Sequence, residues 1–341
     1  MYSRPITTLN LSPFIRGKLL KAGFKNTKDL EGITPVGLSR ELTISNEEAL
    51  VILQQVRQEN VDSFSATEAL EREKTRCPIS TGCSDLDEMF GSRGIMVGKI
   101  TEFCGVPGIG KTQLGMQLAL NVQIPKSLGG PEGEAIYIDT EGSFIAQRTA
   151  EIAEGTIERI NQQLHEKAID AEPLQVESML ARIHYFRVLE YTELVALVNL
   201  LEEFLETHTM VKIIIIDSIA FHFRLNFTDM GLRTRLLNGI AQTLLQVADS
   251  KDIAVVLMNQ MTTKINHHAV DKQNEAVLVP ALGESWGHAS TNRVILFWKD
   301  GVRNALLYKS PSMGEKVVQY QVTAHGIQEY EESRKRMHSD P

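Results

Sequence analysis

Eight consecutive residues, Gly105-Val106-Pro107-Gly108-Ile109-Gly110-Lys111-Thr112, have the types and spacing that hold a polyphosphate. The glycines let backbone N–H groups turn inward on an anion, where β-carbons would obstruct them. A helix opening at Lys111 adds unpaired donors and the positive end of its dipole. Lys111 offers a cation to β- and γ-phosphate oxygens, and Thr112 offers a hydroxyl to Mg²⁺. The flanks agree with this chemistry. Ile100, Phe103 and Cys104 form a short apolar run fit for a buried strand, and Leu114, Met116, Leu118, Ala119 and Val122 give the following helix an apolar face. A fortuitous Gly-rich turn rarely has both.

Carboxylates and amides elsewhere suit the same chemistry. Asp217 ends the β-branched run Val211–Ile216, at the sheet edge where ligands bind, and is expected to hold Mg²⁺ directly or through water. The plain alternative is an Asp capping the next turn. Glu141, directly after the strand Ala135–Asp139, is placed to orient and deprotonate water. Glu102, inside the phosphate-loop strand, competes for that role, and position alone leaves the two open. Asn259-Gln260 end the run Ile253–Met258, where an amide can bond a γ-phosphate and report its loss to the segment beyond. That segment, Met261–Glu284, is long, polar and without clear periodicity, and reads as a functional loop. It carries Lys264, His267, His268 and Lys272. The paired histidines have no partner at metal-ligand spacing and read as loop residues. A second loop at the same edge holds Arg224, with Arg233 and Arg235 opening the next helix. Two such loops suit single-stranded DNA, although neither is strongly basic and aromatic interleaving is limited to Phe223 and Phe227.

These residues need an α/β frame. From Ile79 to residue 328 strands and helices alternate, which implies a mostly parallel sheet covered on both faces. Helices are expected to about Lys167 and over Tyr191–Thr207 and Leu232–Ala248. Antiparallel strands at one edge are expected over Arg293–Trp298, Ala305–Lys309 and Lys316–Val322. Residues 1–60 read as a small all-α domain of helix–hairpin–helix type, with caps at Ser12, Thr34 and Ser45 and a stop at Gly23. Lys18, Lys21, Lys25 and Lys28 lie near its turns, where they either touch a phosphate backbone or make a solvated face. Residues 61–78 read as a linker whose Phe64 has little use in free chain and fits a pocket on the core or a neighbour. Residues 329–341 read as a charged, disordered tail.

The 341 residues and net charge of −8 fit two domains and argue against a surface coated all over by DNA, while leaving room for a local basic groove. No run reaches the ~18 apolar residues of a membrane span, and the N-terminus lacks signal-peptide order. Cys77, Cys83 and Cys104 read as reduced thiols of a cytosolic or nuclear protein.

Taken together, the motifs GVPGIGKTQ (Gly105–Gln113), YIDTEGSF (Tyr137–Phe144), IIIIDS (Ile213–Ser218), MNQ (Met258–Gln260), GHAST (Gly287–Thr291) and YKSP (Tyr308–Pro311) resemble those of the RecA-like recombinases of eukaryotes and archaea, in family order. The stretches VQIPKSLGG, LRTRLLNGIAQ, NQMTTKI and VPALGESWGHA are similar to a paralog branch of that family. The resemblance implies a RecA-like P-loop ATPase core with ATP and Mg²⁺ as cofactors and weak DNA-dependent hydrolysis. It implies Glu141 as the catalytic glutamate, with Lys111 and Gln260 at the γ-phosphate. Gln113 falls in the nucleotide-binding motif, and Arg148 lies against adenine. Residues 222–231 and 262–284 match two DNA-binding loops, and Arg334-Lys335-Arg336 is similar to a nuclear signal, with cytoplasm and mitochondrion as further locations.

Departures bear on partners. The family's Phe-x-x-Ala docking motif is one residue short here, at Phe64-Ser65-Ala66. Lys309 stands where the recombinase has Asp, which would bring a cation to a subunit junction, and Gly314 replaces a proline. The first DNA loop lacks an Arg near Asp229. These changes suit a subunit of hetero-oligomers with other eukaryotic recombinase paralogs, of the B type and the X-ray-cross-complementing type. Such a subunit would assist the recombinase filament on single-stranded and branched DNA in double-strand-break repair and Holliday-junction processing. The alternatives are a self-sufficient strand-exchange recombinase, a hexameric motor of the same fold, and a nucleotide-bound scaffold without turnover. Lys111→Ala is expected to abolish ATP binding in a direct titration; normal binding by that variant would remove the phosphate-loop assignment.

Overall fold

The hydroxyl of Ser12 accepts a hydrogen bond from the Ile15 amide and Pro13 takes the first helical position, so helix α1 (Pro13–Lys21) begins where its cap predicts. Gly23, at φ 93°, turns the chain away after it. Thr34 caps α2 (Pro35–Leu42), and Ser45 and Glu48 form a reciprocal capping box at the start of α3 (Asn46–Gln58). Ile6, Leu19, Leu38, Ala49 and Ile52 are fully buried among these helices and make a core of their own. The structure, a computed structural model, describes residues 5–9, 11–30, 32–58, 65–91, 94–170, 174–224, 227, 229–265 and 276–330. It separates into two units, Met1–Glu73 and Lys74–Pro341.

The stretch read as a linker contains a helix, α4 (Ala66–Thr75). A second capping box nucleates it: the Glu68 carboxylate accepts from the Ser65 amide at 2.6 Å while Ser65 Oγ accepts from the Glu68 amide at 3.2 Å. Ala66 is exposed on that helix, and Phe64 lies outside the described residues.

The larger unit holds α5 (Ser84–Met89), β1 (Ile100–Gly105), α6 (Lys111–Asn121), β2 (Glu134–Asp139), α7 (Ala146–Glu166), α8 (Val176–Ala181), β3 (Ile183–Arg187), α9 (Tyr191–Thr207) and β4 (Val211–Asp217). It continues with α10 (Phe221–Arg224), α11 (Met230–Lys251), β5 (Ala254–Ile265), β6 (Ala276–Pro280), β7 (Asn292–Lys299), β8 (Val302–Lys309), β9 (Val317–Thr323) and β10 (Gly326–Glu329). The strands run in the order β10-β9-β8-β7-β1-β5-β4-β2-β3, with β6 paired to β5. Strands β7, β1, β5, β4, β2 and β3 pair in parallel, and β7 to β10 are antiparallel to one another. This is the α/β architecture that the alternation of elements predicts. Ile213 to Ile216 are fully buried because β4 is covered on both faces. One face packs Phe103, Leu118 and Ile152 under α5, α6 and α7, and the other packs Ile214, Leu194, Val198 and Leu244 under α9 and α11. Among the described residues no helix is long and apolar enough to cross a membrane.

Two expectations are corrected here. The segment Met261–Glu284 is not a structureless loop. Strand β5 runs on to Ile265 and pairs with β6 from Met261↔Pro280 to Ile265↔Ala276. Thr262, Thr263, Val277 and Val279 are strong strand formers, but the polar intervening residues mask their pattern. His267, His268 and Lys272 lie outside the described residues. The tail does not begin at Glu329, which ends β10 and whose carboxylate accepts from the amide and hydroxyl of Ser84, both at 2.9 Å.

Glu102, the rival candidate for water activation, is fully buried in the middle of β1. Its Oε1 accepts from Asn259 Nδ2 at 2.7 Å and Trp286 Nε1 at 2.8 Å, and its Oε2 from Arg293 Nε at 2.7 Å and Ser290 Oγ at 3.3 Å. A carboxylate with that many partners is structural. Asn259, offered with Gln260 as a phosphate contact, is one of those partners. Glu102→Ala leaves the Arg293 guanidinium buried without its counter-charge and should cost about 3–5 kcal/mol in a urea titration. A loss below about 1 kcal/mol, the size of an exposed pair, would show that the cluster anchors nothing.

Candidate nucleotide-binding site

The phosphate loop joins the end of β1 to the start of α6, and its conformation is one glycine supplies cheaply: φ is 76° at Gly108 and 113° at Gly110. A β-carbon on Gly110 would stand 3.1 Å from Val322 Cγ2. Lys111 Nζ lies inside the loop, donating to the carbonyls of Gly105 at 2.8 Å and Val106 at 3.0 Å. Burial lowers the Lys111 pKa, and the nearby charges of Asp217 and Glu141 oppose that shift. Cation, loop and both carboxylates therefore share one field.

Asp217, at the end of β4, is 2% exposed. Burial raises its pKa, while hydrogen bonds from Thr112 and Tyr137 hold it down; Tyr137 Oη donates to Asp217 Oδ2 at 3.0 Å. A desolvated carboxylate beside the Thr112 hydroxyl is the all-oxygen donor set that a hard divalent cation prefers. Among the described residues no group of three His, Cys, Asp or Glu could hold a metal alone. Mg²⁺ takes one or two protein oxygens, and Asp217 and Thr112 are the groups here that would supply them.

Glu141 follows β2 in a turn built by Asp139. That carboxylate is fully buried and accepts from the amides of Glu141, Gly142, Ser143 and Phe144 at 3.1, 2.7, 3.2 and 3.2 Å. Glu141 Oε1 accepts from Ser218 Oγ at 2.5 Å and from Gln260 Nε2 at 2.6 Å. Arg224 donates to the Gln260 side-chain oxygen. The ends of β2 and β4 and the middle of β5 thus converge on Glu141, and Arg224 connects the first loop to the same chain of hydrogen bonds. Asp139, Ser218 and Tyr137 were not identified from the sequence; the only local signal was Asp139 three residues before Gly142 in a tight turn.

Arg148, on α7, spans the other side of the site. It donates to Gln113 Oε1 at 2.8 Å and to the carbonyls of Thr323 and Ala324 at 2.6 Å each, joining α6 to the β9–β10 turn. Arg233 donates to the Phe223 carbonyl at 2.7 Å, Arg235 is exposed, and Lys264 pairs with Glu284 at 3.1 Å on the hairpin. A cavity of about 400 Å³, lined by Phe223, Arg224, Phe227, Arg233, Thr262 and Leu282 among others, lies where the two expected DNA loops meet. Lys309, expected at a subunit junction, donates to the Gly287 and Ser290 carbonyls of its own chain at 3.0 and 2.5 Å.

A mostly parallel sheet in this order, with a glycine cradle after β1 and acids after β2 and β4, defines a RecA-like nucleotide-binding core. Residues 72–330 match the family model described as Rad51. The chain belongs to the Rad51 family, as the motifs implied. It is 46% identical over 346 aligned residues to a Cricetulus griseus protein named "DNA repair protein RAD51 homolog 3", covering 96% of this chain and 92% of that protein. A Dictyostelium discoideum protein of the same name is 45% identical over 253 residues, 74% of this chain and 65% of that one.

The Asp217 shift gives a pH test. Its folded pKa is raised, so the folded state holds the proton more tightly than the unfolded one, and this stabilising share fades as pH rises through the raised value. Asp217→Asn removes the penalty of the buried charge. The melting temperature of the variant relative to wild type should therefore climb as pH rises from about pH 4, the ordinary carboxylate range, through the raised value. Its Mg²⁺-dependent ATP affinity should fall at least about tenfold, the loss typical even of outer metal partners. A melting difference flat with pH would show that Asp217 carries no such shift.

Proposed function

We propose that this chain is an ATP-binding, Mg²⁺-dependent and weakly hydrolysing subunit of a homologous-recombination repair assembly, with hydrolysis responsive to single-stranded DNA. The convergence of Lys111, Thr112, Asp217, Glu141 and Gln260 on one edge of the sheet carries this reading. The relatives named as DNA repair proteins support the pathway.

Bound Mg²⁺ would offset phosphate charge and act as a Lewis acid there. Thr112 and Asp217 are the groups to hold it. Lys111 exchanges the Gly105 and Val106 carbonyls for phosphate oxygens, a better partner for an ammonium. Glu141 Oε1 accepts a proton from the attacking water once Ser218 and Gln260 yield that oxygen. Gln260 stands between Glu141 and Arg224, so a DNA phosphate that draws Arg224 away leaves the Gln260 amide to turn toward the γ-phosphate. Arg224, Arg233, Arg235 and Lys264, with His267, His268 and Lys272 outside the described residues, make the DNA face in this reading.

The partners proposed are other recombinase paralogs and the recombinase filament, in the nucleus. Phe64-Ser65-Ala66 and the inward commitment of Lys309 support hetero-oligomers over a self-made filament. ATP turnover of the purified chain should rise with single-stranded DNA and drop about 100-fold or more in Glu141→Gln, the scale of a lost general base. Equal rates for the two proteins would leave a nucleotide-bound scaffold. Long homofilaments in sedimentation with ATP and DNA would replace the partner-subunit reading.

A further inference from the structure

A glycine-rich cradle is soft, because its residues have few steric limits on their dihedrals. Two restraints on this one are local: Ile109 is fully buried beneath Gly105, and Lys111 bonds two loop carbonyls. A third comes from 211 residues away. Tyr320, on β9, donates its phenol to the Ile109 carbonyl at 2.9 Å. The side chain is 2% exposed. Burial raises its pKa strongly, so it remains a donor throughout the physiological range.

The choice of acceptor matters. The Ile109 carbonyl and the Gly110 N–H belong to one planar trans peptide and point in opposite directions. Drawing the oxygen into the core turns the Gly110 amide outward, toward the phosphate side. The same hairpin walls in Gly110: Val322 Cγ2, Ile327 Cδ1 and Tyr320 Cε2 lie 3.1, 3.8 and 3.9 Å from where its β-carbon would be. It is also fastened to the helix that follows the loop. Gln117 Nε2 donates to the Ile327 carbonyl at 3.0 Å, and Gln117 Oε1 accepts from the Ile327 amide at 2.5 Å. Arg148 binds its turn.

We infer that Tyr320 is a positioning residue for the phosphate cradle: its hydroxyl fixes the Ile109–Gly110 peptide and so aims the Gly110 amide at the bound nucleotide. The inference rests on the nucleotide-site reading above and adds a restraint supplied by the C-terminal hairpin.

Tyr320→Phe keeps the ring and deletes one hydrogen bond. In the full chain, ATP and ADP affinities, measured by calorimetry, should each fall about 3- to 10-fold, the worth of one such bond. The ATP-to-ADP ratio and kcat at saturating ATP should hold, since both nucleotides present a β-phosphate and Glu141 is untouched. Exchange of the Gly110 amide with solvent deuterium should speed up in the nucleotide-free variant. Val318→Ala, on the same strand and distant in role, controls for loss of hairpin packing: it should lower the melting temperature and leave both affinities alone. Wild-type affinity in Tyr320→Phe overturns the inference, as does an equal weakening by Val318→Ala. Wild-type protein that binds neither nucleotide removes the nucleotide site itself, and this inference with it.

Discussion

A single buried carboxylate organises the functional edge of this molecule. Glu102 draws four side chains toward β1: Asn259 of β5, Arg293 of β7, and Trp286 and Ser290 of the turn between. An ionised group so deep in a sheet is tolerated only when its lone pairs are filled and an opposite charge is at hand. Satisfying Glu102 therefore sets where β5 and β7 lie against the phosphate-loop strand. Asn259 precedes Gln260, so the anchor for β5 sits one residue from the group that reaches Glu141. Side chains alternate across a strand, which lets β5 place Asn259 on the anchoring side and Gln260 on the site side.

The site is an electrostatic arrangement held short of neutrality. Lys111 is kept below its ordinary basicity by burial, and Asp217 below its ordinary acidity. Both shifts measure the lack of solvation, and a metal and a polyphosphate, the species proposed for this site, would relieve both. In the meantime the backbone and neighbouring hydroxyls substitute: loop carbonyls for Lys111, Thr112 and Tyr137 for Asp217, Ser218 and Gln260 for Glu141.

Legibility followed sequence distance. The phosphate loop, the Asp217 strand end and the N-terminal caps are set by contiguous residues, and each is found where its motif lies. Glu102 and Glu141 were indistinguishable by position because β1 is buried on both faces, so strand parity says nothing about which side a residue serves. Only the partners of each carboxylate separate them, and Arg293 and Trp286 are nearly two hundred residues from Glu102. The β5–β6 hairpin was hidden by polar residues in a two-stranded ribbon, where burial does not enforce alternation. The Tyr320 bond had no local signature at all. The capping box at Ser65 and Glu68 did have one, in a segment read as a linker.

Strand β5 passes unbroken from the centre of the sheet, through Gln260, into the hairpin that ends at Ile265. Five residues at about 3.3 Å each make an arm of about 17 Å rooted at the catalytic edge. A ladder-paired ribbon resists bending in its own plane, so the arm behaves as a cantilever whose base is the Gln260 peptide. A tilt too small to disturb the Glu102 anchor would be magnified along the arm's length by the time it reached Ile265. Leverage of that kind would couple a small displacement at Gln260 to a larger one at the outer end of the paired arm.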